Sequence, residues 1–126
     1  MNNLKKILLV EDDPFIIDIY STKLKEAGFD VQSSTDGEDA LKRVKEDKPD
    51  LILLDVVLPK LTGLECLGQI KLLPQFKDIP IIILSNLGQK HEVEKGLKMG
   101  ADKYLIKAHY TPSEIVKEIK QIMPNY

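Results

Sequence analysis

The chain lacks several features that would narrow its chemistry at once. It has one cysteine, Cys66, in 126 residues. No internal disulfide can form, so a reducing compartment is expected. The apolar run nearest the N-terminus, Ile7-Leu8-Leu9-Val10, is too short for a signal segment or a membrane span. Basic charge is not in excess: 18 Lys and Arg stand against 20 Asp and Glu, a formal net charge of −2. A nucleic-acid footprint or a polybasic membrane patch is therefore not expected. Histidine and cysteine form no cluster that suggests zinc, since His91 and His109 stand alone. There is no G-x-x-x-x-G-K-[ST] loop and no G-x-G-x-x-G. The nearest approach, Gly63 to Gly68, is followed by Gln69 and falls inside a predicted helix. Repeats, low-complexity segments and linkers are also missing. These absences favour a cytoplasmic protein with neither membrane nor nucleic acid as partner.

What remains is ordinary in bulk and ordered in detail. Residues 1–126 fit one compact domain, with 43% hydrophobic and 30% charged residues. Apolar blocks alternate with helical patterns. Residues 5–10 read as a strand. Asp13 as N-cap and Pro14 in the first turn open a helix to about Ala27, stopped by Gly28. Phe29 to Ser33 reads as a second strand. Thr35-Asp36-Gly37-Glu38 fits a capping box and opens a helix to about Glu46. Residues 51–54 form the third strand. Thr62-Gly63-Leu64-Glu65 caps a helix to about Leu73. Residues 81–84 are the fourth strand, and a helix runs from about Gln89 to Met99. Its apolar stripe is thin, Val93 and Leu97 with Gly96 between them. Residues 103–106 are the fifth strand. Thr111-Pro112-Ser113-Glu114 opens the last helix, with Ile115, Ile119 and Ile122 at helical spacing. Pro124-Asn125-Tyr126 follow it.

Strands apolar on both faces, separated by amphipathic helices, predict an α/β fold with a parallel sheet covered on both sides. Right-handed crossovers make it doubly wound, with five strands and five helices. Ligands of such sheets bind beyond the carboxyl ends of the strands, and the candidate polar residues lie there. Glu11 and Asp12 follow the first strand, Asp55 the third, Ser85 and Asn86 the fourth, Lys107 the fifth. At a strand spacing of roughly 4.8 Å, acids on neighbouring strands repel unless they are protonated or share a cation. Carboxylates and water suit a hard cation, Mg²⁺ above all. A lysine and a hydroxyl at the same rim would help to hold a phosphoryl group. A carboxylate can itself be the nucleophile that receives one.

These residues resemble the receiver domain of two-component response regulators, along essentially the whole chain. The carriers are Val10-Glu11-Asp12-Asp13-Pro14, Leu54-Asp55-Val56-Val57-Leu58-Pro59, Leu84-Ser85-Asn86, and Gly100-Ala101-Asp102-Lys103-Tyr104-Leu105-Ile106-Lys107. The resemblance implies a flavodoxin-like sheet of order 2-1-3-4-5, with Asp12 beside Asp55. It implies Asp55 as phosphoacceptor, and Asp12 and Asp55 as ligands of Mg²⁺ or Mn²⁺. Glu11 would help through water, and the Val57 backbone carbonyl would be a further ligand. Lys107, the Ser85 hydroxyl and the Asn86 backbone N–H would hold the phosphoryl group, and Tyr104 would be an aromatic switch coupled to Ser85. The donor would be a phosphohistidine on a histidine kinase or phosphotransfer protein, and the output a conformational shift read by a downstream protein. The chain would not be an enzyme beyond catalysing its own phosphorylation and dephosphorylation. With no output domain expected, it would act as a monomer or a weak, phosphorylation-linked dimer.

Several positions depart from the family pattern. Ala108 follows Lys107 where the family usually has proline, and Asn86 stands where a small residue is usual. Val57 and Leu87, two residues past Asp55 and Ser85, flank the expected path of the hydrolytic water and cannot orient it, which predicts a long-lived phosphoryl group. Competing readings are a receiver-like binding module that is never phosphorylated, a haloacid-dehalogenase-type phosphatase and a flavin carrier. The phosphatase wants a second Asp where Val57 stands. The clustered acids would repel a flavin phosphate. Simpler roles are expected elsewhere: Asp13 as a cap, Cys66 as a core thiol, His109 as a solvated loop residue, and Lys117 and Lys120 as the exposed face of the last helix.

Overall fold

Five strands and five helices alternate through residues 4–123, the part described by the computed structural model. They are β1 (Lys6–Val10), α1 (Pro14–Glu26), β2 (Asp30–Ser34), α2 (Gly37–Glu46), β3 (Leu51–Leu54) and α3 (Gly63–Leu72). Then come β4 (Ile81–Ser85), α4 (Lys90–Lys98), β5 (Lys103–Ile106), a 3-10 turn (Lys107–His109) and α5 (Pro112–Ile122). The strands are all parallel and lie in the order β2-β1-β3-β4-β5. This is the expected doubly wound α/β fold. The tail Pro124-Asn125-Tyr126 lies outside the described residues.

Alternation along the strands divides the core in two, because successive side chains point to opposite faces. Leu8, Val10, Ile52, Leu54, Ile81 and Ile83 pack with Ala40 and Val44 of α2 and with Cys66, Leu67 and Ile70 of α3. Ile7, Leu9, Leu51, Leu53, Ile82 and Leu84 pack on the other face with Tyr20 and Leu24 of α1 and Ile115 and Ile119 of α5. Each such fully buried aliphatic side chain is worth about 1.5–3 kcal/mol relative to exposure, so much of the apolar stabilisation is gathered on the three central strands.

Element ends follow local chemistry. Thr62 and Thr111 cap α3 and α5 in reciprocal capping boxes with Glu65 and Glu114. The cap of α2 is one residue later than expected. Asp36, not Thr35, accepts from the Asp39 N–H at 2.7 Å, a carboxylate being the better acceptor at a positive helix end. β2 also begins later, at Asp30. Gly28 takes φ 96°, and the Phe29 N–H donates back to the Leu24 carbonyl at 3.1 Å. Phe29 therefore belongs to the helix-ending turn.

The expected stripe on α4 is corrected. Leu97 is 44% exposed, and the buried residue of this helix is Gly96. A Cβ at Gly96 would lie 2.8 Å from both Ile83 Cδ1 and Tyr104 Cδ2. The glycine that weakens the helix also lets it lie flush against β4 and β5.

Candidate functional site: an acidic cleft at the carboxyl edge of the sheet

Register brings the acids together. Val10 pairs with Leu54, and the next residue on each strand is a carboxylate, Glu11 and Asp55. The ladder continues one step, as the Asp55 N–H donates to the Val10 carbonyl at 3.0 Å. Glu11 is tied to the other side, its N–H donating to the Ser34 carbonyl at 3.0 Å. Both acids are buried, at 3% and 7% exposure, while Asp12 is exposed.

Lys107 spans the gap from the far side of the sheet. Its Nζ donates to Asp55 Oδ2 at 2.8 Å and to Glu11 Oε1. The other Asp55 oxygen, Oδ1, accepts from the Val57 N–H at 3.2 Å. Glu11 Oε2 accepts from the Asp12 and Asp13 N–H groups at 3.1 and 3.3 Å. The nucleophile candidate is thus oriented through both of its oxygens. Burial pushes the Glu11 carboxyl above its ordinary range, against the Lys107 hydrogen bond, and the Asp55 charge pushes the same way. Burial also opposes the charge on Lys107, but its bonds to Asp55 and Glu11 prevail and raise it.

Carboxylate oxygens of Glu11, Asp12 and Asp55 lie within 4.8 Å of one another. Mg²⁺ takes oxygen ligands at about 2.0–2.1 Å in octahedral geometry, which spans oxygens about 3–4 Å apart. The donor set and spacing fit that cation. Glu11, Asp12, Asp55, Val57, Ser85, Asn86 and Lys107 all line one open cleft, with Ile16 and Leu87 at its rim.

The loop after β3 is shaped by close packing beneath the site. The Gly63 N–H donates to the Val56 carbonyl at 3.0 Å. A Cβ at Gly63 would fall 2.0 Å from the Asp55 carbonyl oxygen, so a residue without one is required there.

Ser85 is buried at 1% exposure, and its Oγ accepts from the Leu87 N–H at 3.2 Å. The Tyr104 hydroxyl donates to the Leu87 carbonyl at 2.5 Å. Burial raises the Tyr104 phenol, with a Ser85 hydrogen bond opposing. Tyr104 thus meets the loop that leaves β4 directly after Ser85. It lines no part of the acidic cleft and lies behind it against Gly96.

Sequence reasoning missed two supports of this site. One is Gly63, whose need is set by a contact with the loop after β3. The other is the Asn86 side chain, whose Oδ1 accepts from the Ala108 N–H at 3.2 Å. For the second, the departures from the family pattern at Asn86 and Ala108 were the available signal. The Lys107-Ala108 peptide is trans, as are all peptides among the described residues. His109 is exposed, and Asp13 caps α1 through the Phe15 N–H at 2.9 Å. Cys66 is buried in the core, which pushes its thiol up to about 11.

A five-stranded flavodoxin-like sheet with an acid cluster and a lysine at its carboxyl edge defines the class of the chemotaxis-regulator fold. The chain belongs to the response regulator receiver domain family, whose model matches residues 7–120. It is 40% identical over 119 residues to the alkaline phosphatase synthesis transcriptional regulatory protein PhoP of Bacillus subtilis. That match covers 94% of this chain and 48% of PhoP. The chain spans about half the length of the curated relatives it matches. Among solved structures it resembles a putative response regulator from Chloroflexus aurantiacus (30% identity, TM-score 0.90, 97% of this chain and 99% of that one). It also resembles the chemotaxis protein CheY4 of Vibrio cholerae (29% identity, TM-score 0.87, 94% and 98% of the two chains).

Proposed function

We propose that this receiver is a cytoplasmic phosphoacceptor that takes a phosphoryl group onto Asp55 from a phosphohistidine on a partner kinase or phosphotransfer protein. The observation that carries the reading is Lys107, whose ammonium reaches Asp55 and Glu11 while Asp12 lies open beside them.

Asp12, Asp55 and the Val57 carbonyl would hold Mg²⁺, with Glu11 acting through water. The bound cation would supply neutralisation of the charge that gathers on the equatorial oxygens in phosphoryl transfer. An Asp55 oxygen attacks phosphorus, the phosphorus–nitrogen bond breaks, and the imidazole leaves with the electron pair. Lys107, the Ser85 hydroxyl and the Asn86 N–H then hold the new phosphoryl oxygens. Lys107 and Ser85 change partners in doing so. The Ser85–Leu87–Tyr104 connection supports a shift of conformer population at α4 and β5 as output. That surface would be read by a downstream protein, by this receiver as a monomer or a weak dimer, with no nucleic acid bound by the receiver itself.

The test is incubation with Mg²⁺ and acetyl phosphate. One acid-stable, base-labile adduct is expected, absent from Asp55→Asn. No adduct in the parent protein would favour a phosphorylation-independent binding module.

A further inference from the structure

The β4–β5 ladder ends at the pair Ser85 and Ile106. Beyond it the chains part, β4 into the loop before α4 and β5 into the 3-10 turn. One residue past Ser85 and two past Ile106, a side chain joins them again: Asn86 Oδ1 accepts from the Ala108 N–H at 3.2 Å. The first N–H groups of a helical turn have no partner within it. Asn86 supplies one, in place of the next backbone rung.

The position of this bond gives it consequence. Asn86 adjoins Ser85, and Ala108 adjoins Lys107. These two neighbours come from the end of β4 and from the turn after β5, and both line the same Asp55 cleft. The Lys107 ammonium sits at the end of a long flexible stem, 2.8 Å from Asp55 Oδ2. Its reach is set by where its own backbone lies. β5 fixes that backbone on one side, and the Asn86–Ala108 bond fixes it on the other. Ala108 can take part because it has an N–H; a proline there would not. Asn86 and Ala108, two separate departures from the family pattern in the sequence, are the acceptor and the donor of one bond.

We propose that Asn86 is a positioning residue, whose side chain sets the place of the Lys107 ammonium over Asp55 and thereby the rate of phosphoryl transfer. This rests on Asp55 being the phosphoacceptor. The metal-ligand candidates lie on the loops after β1 and β3, outside the two segments that this bond joins, so Asn86→Ala removes none of them.

The experiment has two arms. In the unphosphorylated protein, amide hydrogen exchange is followed at Ala108. Asn86→Ala speeds exchange there by about 5-fold or more, the worth of one hydrogen bond, and Asn86→Asp, which keeps an acceptor oxygen, retains the protection. With acetyl phosphate and Mg²⁺ at a concentration that chemical-shift titration shows to be saturating for each protein, Asn86→Ala slows adduct formation by a similar factor, about 5-fold. Ala108→Pro removes the donor, so adding Asn86→Ala to it slows the reaction no further. Unchanged exchange at Ala108 in Asn86→Ala overturns the proposal, and so does independent multiplication of the two rate effects. Should Ala108→Pro not fold, the exchange arm decides. An adduct formed by Asn86→Ala at the parent rate sinks this inference alone. No adduct in the parent protein sinks the phosphoacceptor reading as well.

Discussion

Lys107 and Asp55 approach from strands that are not neighbours, β5 and β3, and meet at 2.8 Å across the end of β4. The same ammonium binds Glu11. One cation thus serves two buried carboxylates, and removing it leaves both unpaired. Lys107→Met should cost the metal-free protein about 1–3 kcal/mol, below the range for a wholly buried pair because Lys107 touches solvent. Added Mg²⁺ should recover much of the loss. Urea unfolding with and without Mg²⁺ measures both; a variant as stable as the parent in chelator would contradict the bridge.

Glu11 gives the metal-free protein an unusual pH dependence. Its folded carboxyl is held above the ordinary 4.5 by burial, which outweighs the opposing Lys107 hydrogen bond, with the Asp55 charge adding to the rise. The folded state therefore binds this proton more tightly than the unfolded state does. That contribution is complete below 4.5 and is lost as pH rises through the raised folded value. In chelator, stability should increase as pH falls from neutrality through this window, and Glu11→Gln should flatten the rise. Asp39 acts oppositely. Its hydrogen bond with Arg43 lowers it below 3.8, so its contribution is lost as pH falls through the lowered value. Lys107 is raised above 10.5, and its contribution fades only as pH climbs through that higher value. Urea midpoints across pH with chelator present test the signs.

Val57 and Leu87 flank the cleft at 58% and 37% exposure. Neither can direct a water at the phosphoryl group. Val57→Asn or Leu87→Glu should speed loss of the adduct by at least about tenfold, short of the full worth of a well-placed acid or base. Decay after removal of donor, with Mg²⁺ present, is the measurement. Equal lifetimes in all three proteins would refute the assignment.

Two glycines should respond differently to a methyl group. Gly63→Ala forces a Cβ to within 2.0 Å of a backbone oxygen of Asp55, and backbone yields poorly. A loss of about 1–3 kcal/mol is expected, with weakened Mg²⁺ binding as the loop after β3 shifts. Gly96→Ala meets the Ile83 methyl and the edge of the Tyr104 ring at 2.8 Å. Those atoms can turn aside, so the loss should be smaller, with the Tyr104 environment altered instead. Thermal unfolding ranks the two, and Tyr104 ring resonances report the second.

Much of this was legible in the chain because it is local. The central strands announce themselves as apolar quartets, and Thr62 and Thr111 name their helix starts through the glutamates three residues on. The acids fall at strand ends by simple counting, and the alternating pattern limits where those ends can lie. What escaped depends on contacts between distant segments. Nothing near Gly96 in sequence says that Tyr104 lies above it. Asn86 reads as a loop residue until Ala108, far along the chain, is placed beside it. At Thr35 and Asp36 the error was local, two plausible caps side by side, decided by which side chain reaches the Asp39 N–H.

The bond from the Tyr104 hydroxyl to the Leu87 carbonyl has a kinetic consequence. Ser85 ends β4 and Leu87 lies two residues on, so the group that would sense the phosphoryl oxygens and the group that holds the tyrosine are joined by one short stretch of backbone. A message between them crosses no layer of packed core. In the proposed switch its speed would be set by loop and side-chain motion, on the order of nanoseconds to microseconds, rather than by repacking of the sheet. The strands can stay stiff while the surface answers quickly, and the slow step of a signal would lie in making and losing the phosphoryl bond.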